Sequence, residues 1–134
     1  MGRPLLFCAL GLAAAVATAS AHHSLSDYDN SRQTTVDGVV AQFAYVNPHP
    51  FITLDAKDNT GRTQRWRLEL DNRREFDDIG MTAETIRSGD RVVVQGSPGR
   101  SQANILYVRR LDRPSDGYAF DTVGSRPRLL RPSR

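Results

Sequence analysis

The stretch TQRWRLEL at residues 63–70 has the most regular two-residue alternation in the chain, and it decides the fold. One side of this stretch carries Gln64, Trp66, Leu68 and Leu70, and the other carries Arg65, Arg67 and Glu69. Alternation of apolar and polar residues at this period is typical of a half-buried β-strand. We therefore predict that the side with Trp66 faces the core and that the other side faces solvent or a ligand.

The sequence on either side of this stretch predicts four more strands and one short helix. The strands are expected at residues 33–46, 51–57, 63–70, 91–96 and 104–111, and the helix at residues 72–79. Gly38, inside the first strand, indicates a bulge or a sharp bend. Gly80 ends the predicted helix, and DNTG at residues 58–61 is typical of a hairpin turn.

This order of elements, with the helix after the third strand, is that of the OB-fold. Closing a small sheet into a barrel also removes its exposed edges. We therefore predict an all-β protein, a small OB-like Greek-key barrel of about five strands with a short helix between strands three and four. A short-stranded sandwich is the alternative, and the position of the helix favours the barrel.

The two ends of the chain differ from the predicted barrel in composition. The predicted organisation is a signal peptide at residues 1–21, an N-terminal arm at 22–32, the barrel at 33–112 and a basic tail at 113–134. The apolar run ends in Ala19-Ser20-Ala21, a cleavage signature, and is too short to span a bilayer. Cleavage after Ala21 predicts a periplasmic or secreted protein, and a retained anchor is the alternative. The tail is rich in proline and arginine, so we expect it to be disordered, either solvated or resting on anionic lipid or glycan.

Cysteine content and net charge exclude several function classes. The only cysteine, Cys8, lies inside the predicted signal peptide. The mature chain would therefore contain no disulfide, no thiolate metal site and no cysteine nucleophile. The net charge is only +3 before Arg3 is removed, which argues against nucleic acid as a partner. No later segment is apolar enough to predict a transmembrane span in the mature chain.

All three histidines lie in two short motifs, AHHS at residues 21–24 and NPHP at residues 47–50. Cleavage after Ala21 would make His22 the first residue, and its α-amine and ring nitrogen could then chelate one metal ion. His49 could add a third nitrogen, and His23 is the alternative to either. Nitrogen ligands suit Cu(II), and imidazole also suits zinc and nickel. Cleavage after Ala19 would likewise give an amino terminus suited to copper.

The sequence therefore predicts a binding protein, with copper as the first candidate cofactor and His22, His23 and His49 as its ligands. The alternative is that these histidines are structural, in an exposed linker and a stiff turn. No catalytic residue is predicted, because Ser24 beside two histidines is not a triad. We expect the protein not to be an enzyme.

A second function is a metal-free interaction module in the cell envelope. It would use Arg65, Arg67 and Glu69 to bind an anionic ligand, a glycan or an envelope protein, since arginine holds carboxylate and phosphate groups bidentately. The alternative is a solvated sheet face with cross-strand ion pairs.

Four pieces of sequence together resemble a family of small secreted bacterial proteins, domain of unknown function 6152. These pieces are AHHS at 21–24, VNPH at 46–49, Trp66 with Leu68-Glu69, and SGDRV at 88–92. Where the family tends to show Ser-Pro-Asn and later Gly-Trp, this chain has DNRR at 71–74 and Gly80-Met81. The resemblance implies a small secreted protein and brings no settled activity, so function must be argued from the residues.

Overall fold

The computed structural model describes residues 25–131, which form an all-β domain with one short helix. The elements are a 3₁₀ turn at Leu25–Asp27, β1 at Thr34–Ala44, β2 at Phe51–Lys57, β3 at Thr63–Glu69, α1 at Arg73–Asp78, β4 at Arg91–Pro98, β5 at Ile105–Arg113, β6 at Tyr118–Val123 and β7 at Arg126–Arg131. The sheet order is β3-β2-β1-β4-β5-β6-β7, with an additional pairing between β3 and β5.

The first five strands close into a barrel. Neighbouring strands pair antiparallel, except that β3 and β5 pair parallel and close the barrel. The helix α1 lies between β3 and β4 in the chain. The prediction of a small OB-like Greek-key barrel with five strands is therefore confirmed.

Local sequence accounts for the turn between β2 and β3. The Asp58 carboxylate accepts hydrogen bonds from the backbone N–H groups of Thr60, at 2.8 Å, and Arg62, at 3.0 Å. Gly61 has a φ of 81°, a left-handed conformation that glycine adopts without steric cost. The predicted hairpin turn at residues 58–61 is therefore confirmed.

The core is formed by alternate residues of the barrel strands, by Phe76 of α1, and by residues of the α1–β4 loop and of β6, namely Met81, Ile86, Tyr118 and Phe120. Leu68, predicted to face the core, is fully buried, as are Ile52 and Leu54 of β2. Trp66 packs against the core but stays partly exposed. Phe76 is the only buried residue of α1, and its ring meets that of Phe120 edge to face at 5.2 Å.

The helix begins and ends as its flanking residues indicate. Asn72 is the N-cap, and its side-chain oxygen accepts a hydrogen bond from the Arg74 N–H at 2.9 Å. Gly80, with a φ of 82°, follows the helix and permits the chain to turn. The observed helix, Arg73–Asp78, falls within the predicted residues 72–79.

The bulge in β1 lies at Ala41, three residues after Gly38, the position where the sequence predicted it. The register with β2 shifts between Val40 and Gln42, not at Gly38. Gly38 instead lies close to the neighbouring strand, because a Cβ atom there would be 2.6 Å from the carbonyl oxygen of Asp55. Its small size therefore serves close strand approach, and the predicted bulge position was wrong.

The prediction that residues 113–134 are disordered was wrong as far as residue 131. Tyr118–Val123 and Arg126–Arg131 form a β-hairpin, and β6 of this hairpin pairs with the end of β5. The physical reason is that Tyr118 and Phe120 are buried against the core and offset the cost of ordering the chain. Pro114 lies in the turn after β5 and Pro127 in the edge strand β7, where neither breaks a central ladder.

The second half of the predicted N-terminal arm packs on the barrel. Tyr28 is only 3% exposed and forms an isolated antiparallel bridge with Gly99 in the β4–β5 loop. Arg100 binds the same segment, donating from Nε to the Ser26 carbonyl at 3.0 Å. The predicted signal peptide, His22 and His23 lie outside the described residues. Within residues 25–131, no helix is long and apolar enough to cross a membrane.

Candidate functional site

His49 is held in place by the loop between β1 and β2. On either side of it, the carbonyl oxygens of Pro48 and Pro50 accept hydrogen bonds from the N–H groups of Arg73, at 2.8 Å, and Leu70, at 2.9 Å. The Asn47–Pro48 bond is cis. These contacts fasten the loop to the end of β3 and the start of α1, so His49 is held by a rigid backbone.

The imidazole of His49 is oriented by a carbonyl group. Its Nδ1 lies 3.2 Å from the carbonyl oxygen of Leu70, and a carbonyl oxygen can only accept. Nδ1 therefore carries the proton in this contact, and Nε2 of the neutral ring keeps its lone pair. Metal-binding histidines are commonly oriented in this way through the ring nitrogen that does not bind the metal.

Two tyrosine–carboxylate pairs lie at the end of β3, and their carboxylates belong to the residues on either side of Leu70 in the chain. The Tyr28 hydroxyl donates to Glu69 at 2.7 Å, and the Tyr107 hydroxyl donates to Asp71 at 2.5 Å. Burial, followed by the neighbouring carboxylate, raises the pKa of both phenols. Both hydroxyls therefore stay protonated and act as fixed donors to the two carboxylates.

These contacts anchor the N-terminal segment to the end of β3. Tyr28 packs on Tyr107, with ring centroids 5.5 Å apart, and its hydroxyl ends on Glu69. Glu69 precedes Leu70, whose carbonyl oxygen holds the His49 ring. The Tyr28 side chain therefore reaches the end of β3, while the backbone of residues 26–28 lies on the β4–β5 loop.

The structure brings together only part of the predicted histidine site. Of His22, His23 and His49, it describes His49 alone. Within residues 25–131, no three histidine, cysteine, aspartate or glutamate side chains converge to hold a metal ion. A metal centre at His49 would therefore need ligands from the residues before Leu25.

The face of β3 that carries Arg65, Arg67 and Glu69 is largely occupied by contacts within the protein. Arg65 forms a bidentate pair with Asp55, with N–O distances of 2.8 and 2.9 Å. Arg67 lies over the Phe51 ring, with its guanidinium carbon 3.6 Å from the ring centroid. Of the three predicted ligand residues on this face, Arg65 and Arg67 are exposed, and Arg65 forms the cross-strand ion pair of the alternative interpretation.

Glu69, predicted as a ligand-binding residue on this face, is only 5% exposed. Its side chain does point to the outer side of β3, as the alternation requires. That side is covered by Tyr28 from the N-terminal segment and Tyr107 from β5. The sequence alone did not indicate that tyrosines cover Glu69. The one available signal was Tyr28, the only aromatic residue between the predicted signal peptide and β1.

A crevice of about 390 Å³ lies beside Arg67. It is lined by Thr53, Arg65, Trp66, Arg67, Ala103, Asn104 and Ile105. These residues come from β2, β3 and the junction of the β4–β5 loop with β5. The crevice could accept a small anionic group, since Arg67 has no acidic partner within residues 25–131.

A comparison of the sequence with family models identifies the family of this chain. Residues 10–106 match a family of unknown function, DUF6152, and the chain belongs to this family. Among solved structures, it is similar to the dimeric N-terminal domain of PriB protein from Thermoanaerobacter tencongensis, with 18% identity and a TM-score of 0.42. That similarity covers 62% of this chain and 96% of that chain. A search of curated proteins gave no match.

Proposed function

We propose that this protein is exported and binds a divalent transition metal, copper first, through His49 and the histidines at its mature amino terminus. The observation that carries the proposal is the orientation of the His49 ring, whose Nδ1 faces the Leu70 carbonyl oxygen and leaves Nε2 available. Nitrogen donors of this kind suit Cu(II). A rigid ligand also loses little conformational entropy when it binds.

The anchoring of Tyr28 supports the contribution of the amino terminus. His22 lies six residues before Tyr28, and an extended chain of that length spans at most about 20 Å. Since Tyr28 is fixed to Glu69, the α-amine and the rings of His22 and His23 start within this short reach of the anchor. Cleavage after Ala21 would complete the set of nitrogen ligands.

Substitution of His49 tests its role as a ligand. We expect His49→Asn to lower the Cu(II) affinity of the mature protein by at least about tenfold, or about 1.4 kcal/mol, because asparagine lacks the Nε2 donor. Its amide can still donate to the Leu70 carbonyl oxygen, so the melting temperature should stay close to that of the wild type. Isothermal titration with Cu(II), with the mature N-terminus first identified by mass spectrometry, measures the effect.

The companion variant His49→Ala removes both the ligand and the hydrogen bond to Leu70. If His49 is only structural, His49→Ala will lower the melting temperature while both variants bind copper like the wild type. Equal binding by His49→Asn and the wild type would exclude the site that joins the two motifs. If substitutions of His22 and of His49 both leave binding unchanged, the metal function is wrong altogether.

The second candidate function is a metal-free module that binds an anionic glycan or an envelope protein at the crevice beside Arg67. The observation in its favour is that Arg67 contacts Phe51 but has no acidic partner among the described residues, whereas Arg65 is neutralised by Asp55. A sulfate or carboxylate group could therefore pair with Arg67.

Trp66, the only tryptophan, lines this crevice and reports on it. We expect a sulfated oligosaccharide such as a heparin fragment to change the tryptophan fluorescence, and Arg67→Gln to weaken its binding about tenfold. Arg62→Gln, in the β2–β3 turn, removes the same charge outside the crevice and should leave binding unchanged. Equal loss in both variants would show that only net charge matters.

A further inference from the structure

The strand β3 is paired along the whole of one edge but only part of the other. Toward β2, every residue from Thr63 to Glu69 has a partner. Toward β5, only Arg67, Leu68 and Glu69 have partners. Within residues 25–131, no strand therefore lies beside residues 63–66 on this side, and we call these residues the free edge of β3.

The backbone hydrogen bonds show which groups the free edge offers. The N–H group of Leu70, just after β3, donates on the side of β2, to the carbonyl oxygen of the residue before that strand. The N–H group of Arg67 instead donates on the side of β5, to the Asn104 carbonyl oxygen at 2.9 Å. Since these directions alternate along a strand, Thr63 and Arg65 direct their N–H and C=O groups away from β2. Such groups are a template for another strand.

The β4–β5 loop leaves this edge uncovered. The loop closes on itself through a hydrogen bond from the Gly99 N–H group to the Ile105 carbonyl oxygen at 3.1 Å. Asn104 has a φ of 57°, a left-handed conformation that interrupts the extended chain just before β5. The crevice beside Arg67 is lined by this loop and by β3, and Trp66 in its wall stays partly exposed. An added strand would fill the crevice and cover the indole ring.

The side chains at the free edge favour an acidic partner. On the outer side of β3, Arg65 pairs with Asp55, whereas Arg67 has no acidic partner among the described residues. Antiparallel pairing of β3 with a second copy would bring the arginines of the two strands close together, and like charges across strands repel. A carboxylate on the added strand would instead pair with Arg67.

We infer that the free edge of β3 receives an extended acidic segment of another protein as an added strand. The backbone of the segment pairs with Thr63 and Arg65, its carboxylates lie on the outer side with Arg67, and its alternate apolar side chains cover Trp66. This binding involves no residue of the proposed metal site. It rests on the second candidate function only in sharing Arg67, since a glycan has no peptide backbone to pair with a strand.

Titration of the mature protein with a synthetic peptide in which glutamate and valine alternate tests the inference. We expect binding to shift the Trp66 emission to shorter wavelength, because the added strand removes water from the indole ring. N-methylation of every second peptide nitrogen should abolish binding when the methylated set faces β3, and should leave it nearly unchanged when the other set is methylated. Side-chain attraction alone would not distinguish these two peptides.

Arg67→Gln should weaken binding of the parent peptide about tenfold, because a charge-assisted hydrogen bond is lost. The matched control, Arg32→Gln, removes one exposed charge outside the crevice and should leave binding unchanged. Thermal melts confirm that both variants are folded.

The inference is overturned if the parent peptide does not bind, or if both N-methylated peptides bind as tightly as the parent. It is equally overturned if lysine in place of glutamate leaves binding unchanged. A dimer in analytical ultracentrifugation that fails to bind the peptide would overturn it in favour of pairing between copies of the chain. Binding of the parent peptide and of only one N-methylated form, without binding of the heparin fragment, would support the inference and exclude only the glycan.

Discussion

Replacing Phe76 with alanine should lower the free energy of unfolding by about 3–5 kcal/mol, the range for a buried phenylalanine. Phe76 is fully buried, meets the Phe120 ring at 5.2 Å, and is the only buried residue of α1. Its loss therefore leaves a cavity and also releases the helix. In a domain of this size the melting temperature should fall by more than about 10 °C. Urea denaturation measures the change in free energy.

Ile79, at the end of the same helix, provides the control. It is only partly buried, so Ile79→Ala should cost clearly less than Phe76→Ala. Because Arg73 at the start of α1 donates to the Pro48 carbonyl oxygen, release of the helix should also loosen the loop that carries His49. A loss below about 1 kcal/mol in Phe76→Ala would mean that α1 is not held by this residue.

The second large effect is expected at Arg113, which joins three segments of the chain. Its side chain, 8% exposed, donates to Asp90 and Asp116, in both cases at 2.8 Å, and to the carbonyl oxygen of Thr85 at 2.6 Å. Arg113→Met should destabilise the fold by about 3 kcal/mol, since it leaves two aspartates without their partner. The cost stays at the lower end of the usual range because both aspartates are 24% exposed and regain some water.

Chemical denaturation of a triple variant separates lost charge pairing from lost packing. Adding Asp90→Asn and Asp116→Asn to Arg113→Met should restore part of the stability, because no unpaired charge remains. Further destabilisation by the two asparagines would show that packing, not charge, holds this cluster together.

Acid titration gives an independent check on the same cluster. The hydrogen bond from Arg113 lowers the pKa of Asp116 from 3.8 to about 2. A lowered pKa in the folded state stabilises the protein above the ordinary value of 3.8, and this contribution is lost as the pH falls through about 2. The wild type should therefore lose more stability between pH 5 and pH 2 than Arg113→Met does.

The barrel could be predicted because its signals are local. The alternation in β3, Gly80 after the helix and the DNTG turn each act within a few residues. Gly38 shows the limit of such reasoning, because its role is the approach of β2 and not a bulge in its own strand. A contact between strands cannot be read from one strand alone.

The C-terminal hairpin was not predicted, because the amino-acid composition of the tail was given more weight than the alternation of its apolar residues. Residues 113–134 are rich in arginine and proline, which favours disorder. The alternation of Tyr118, Phe120 and Thr122 before Gly124 was a usable signal for a strand followed by a turn. Those three residues are buried, and the hairpin forms because of them.

The candidate site was predictable only as a set of residues. The motif around His49 indicated a rigid loop, which the contacts of Pro48 and Pro50 provide. The partner of the His49 ring, Leu70, lies 21 residues away, and the partner of Tyr28 lies 41 residues away. Such pairs depend on how the strands close, which no short stretch of sequence specifies.

The pairing of β3 with β5 is the seam that closes the barrel, and it gives Tyr28 a further importance. Three residue pairs join β3 to β5, whereas seven join β2 to β3. Native proteins open locally, and the opening that costs least free energy is the one that breaks the fewest contacts. Tyr28 bridges this seam, since its hydroxyl binds Glu69 of β3 and its ring packs on Tyr107 of β5. The contacts of Tyr28 therefore add to the free energy needed to separate β3 from β5, so loss of the N-terminal segment should make opening at this seam easier.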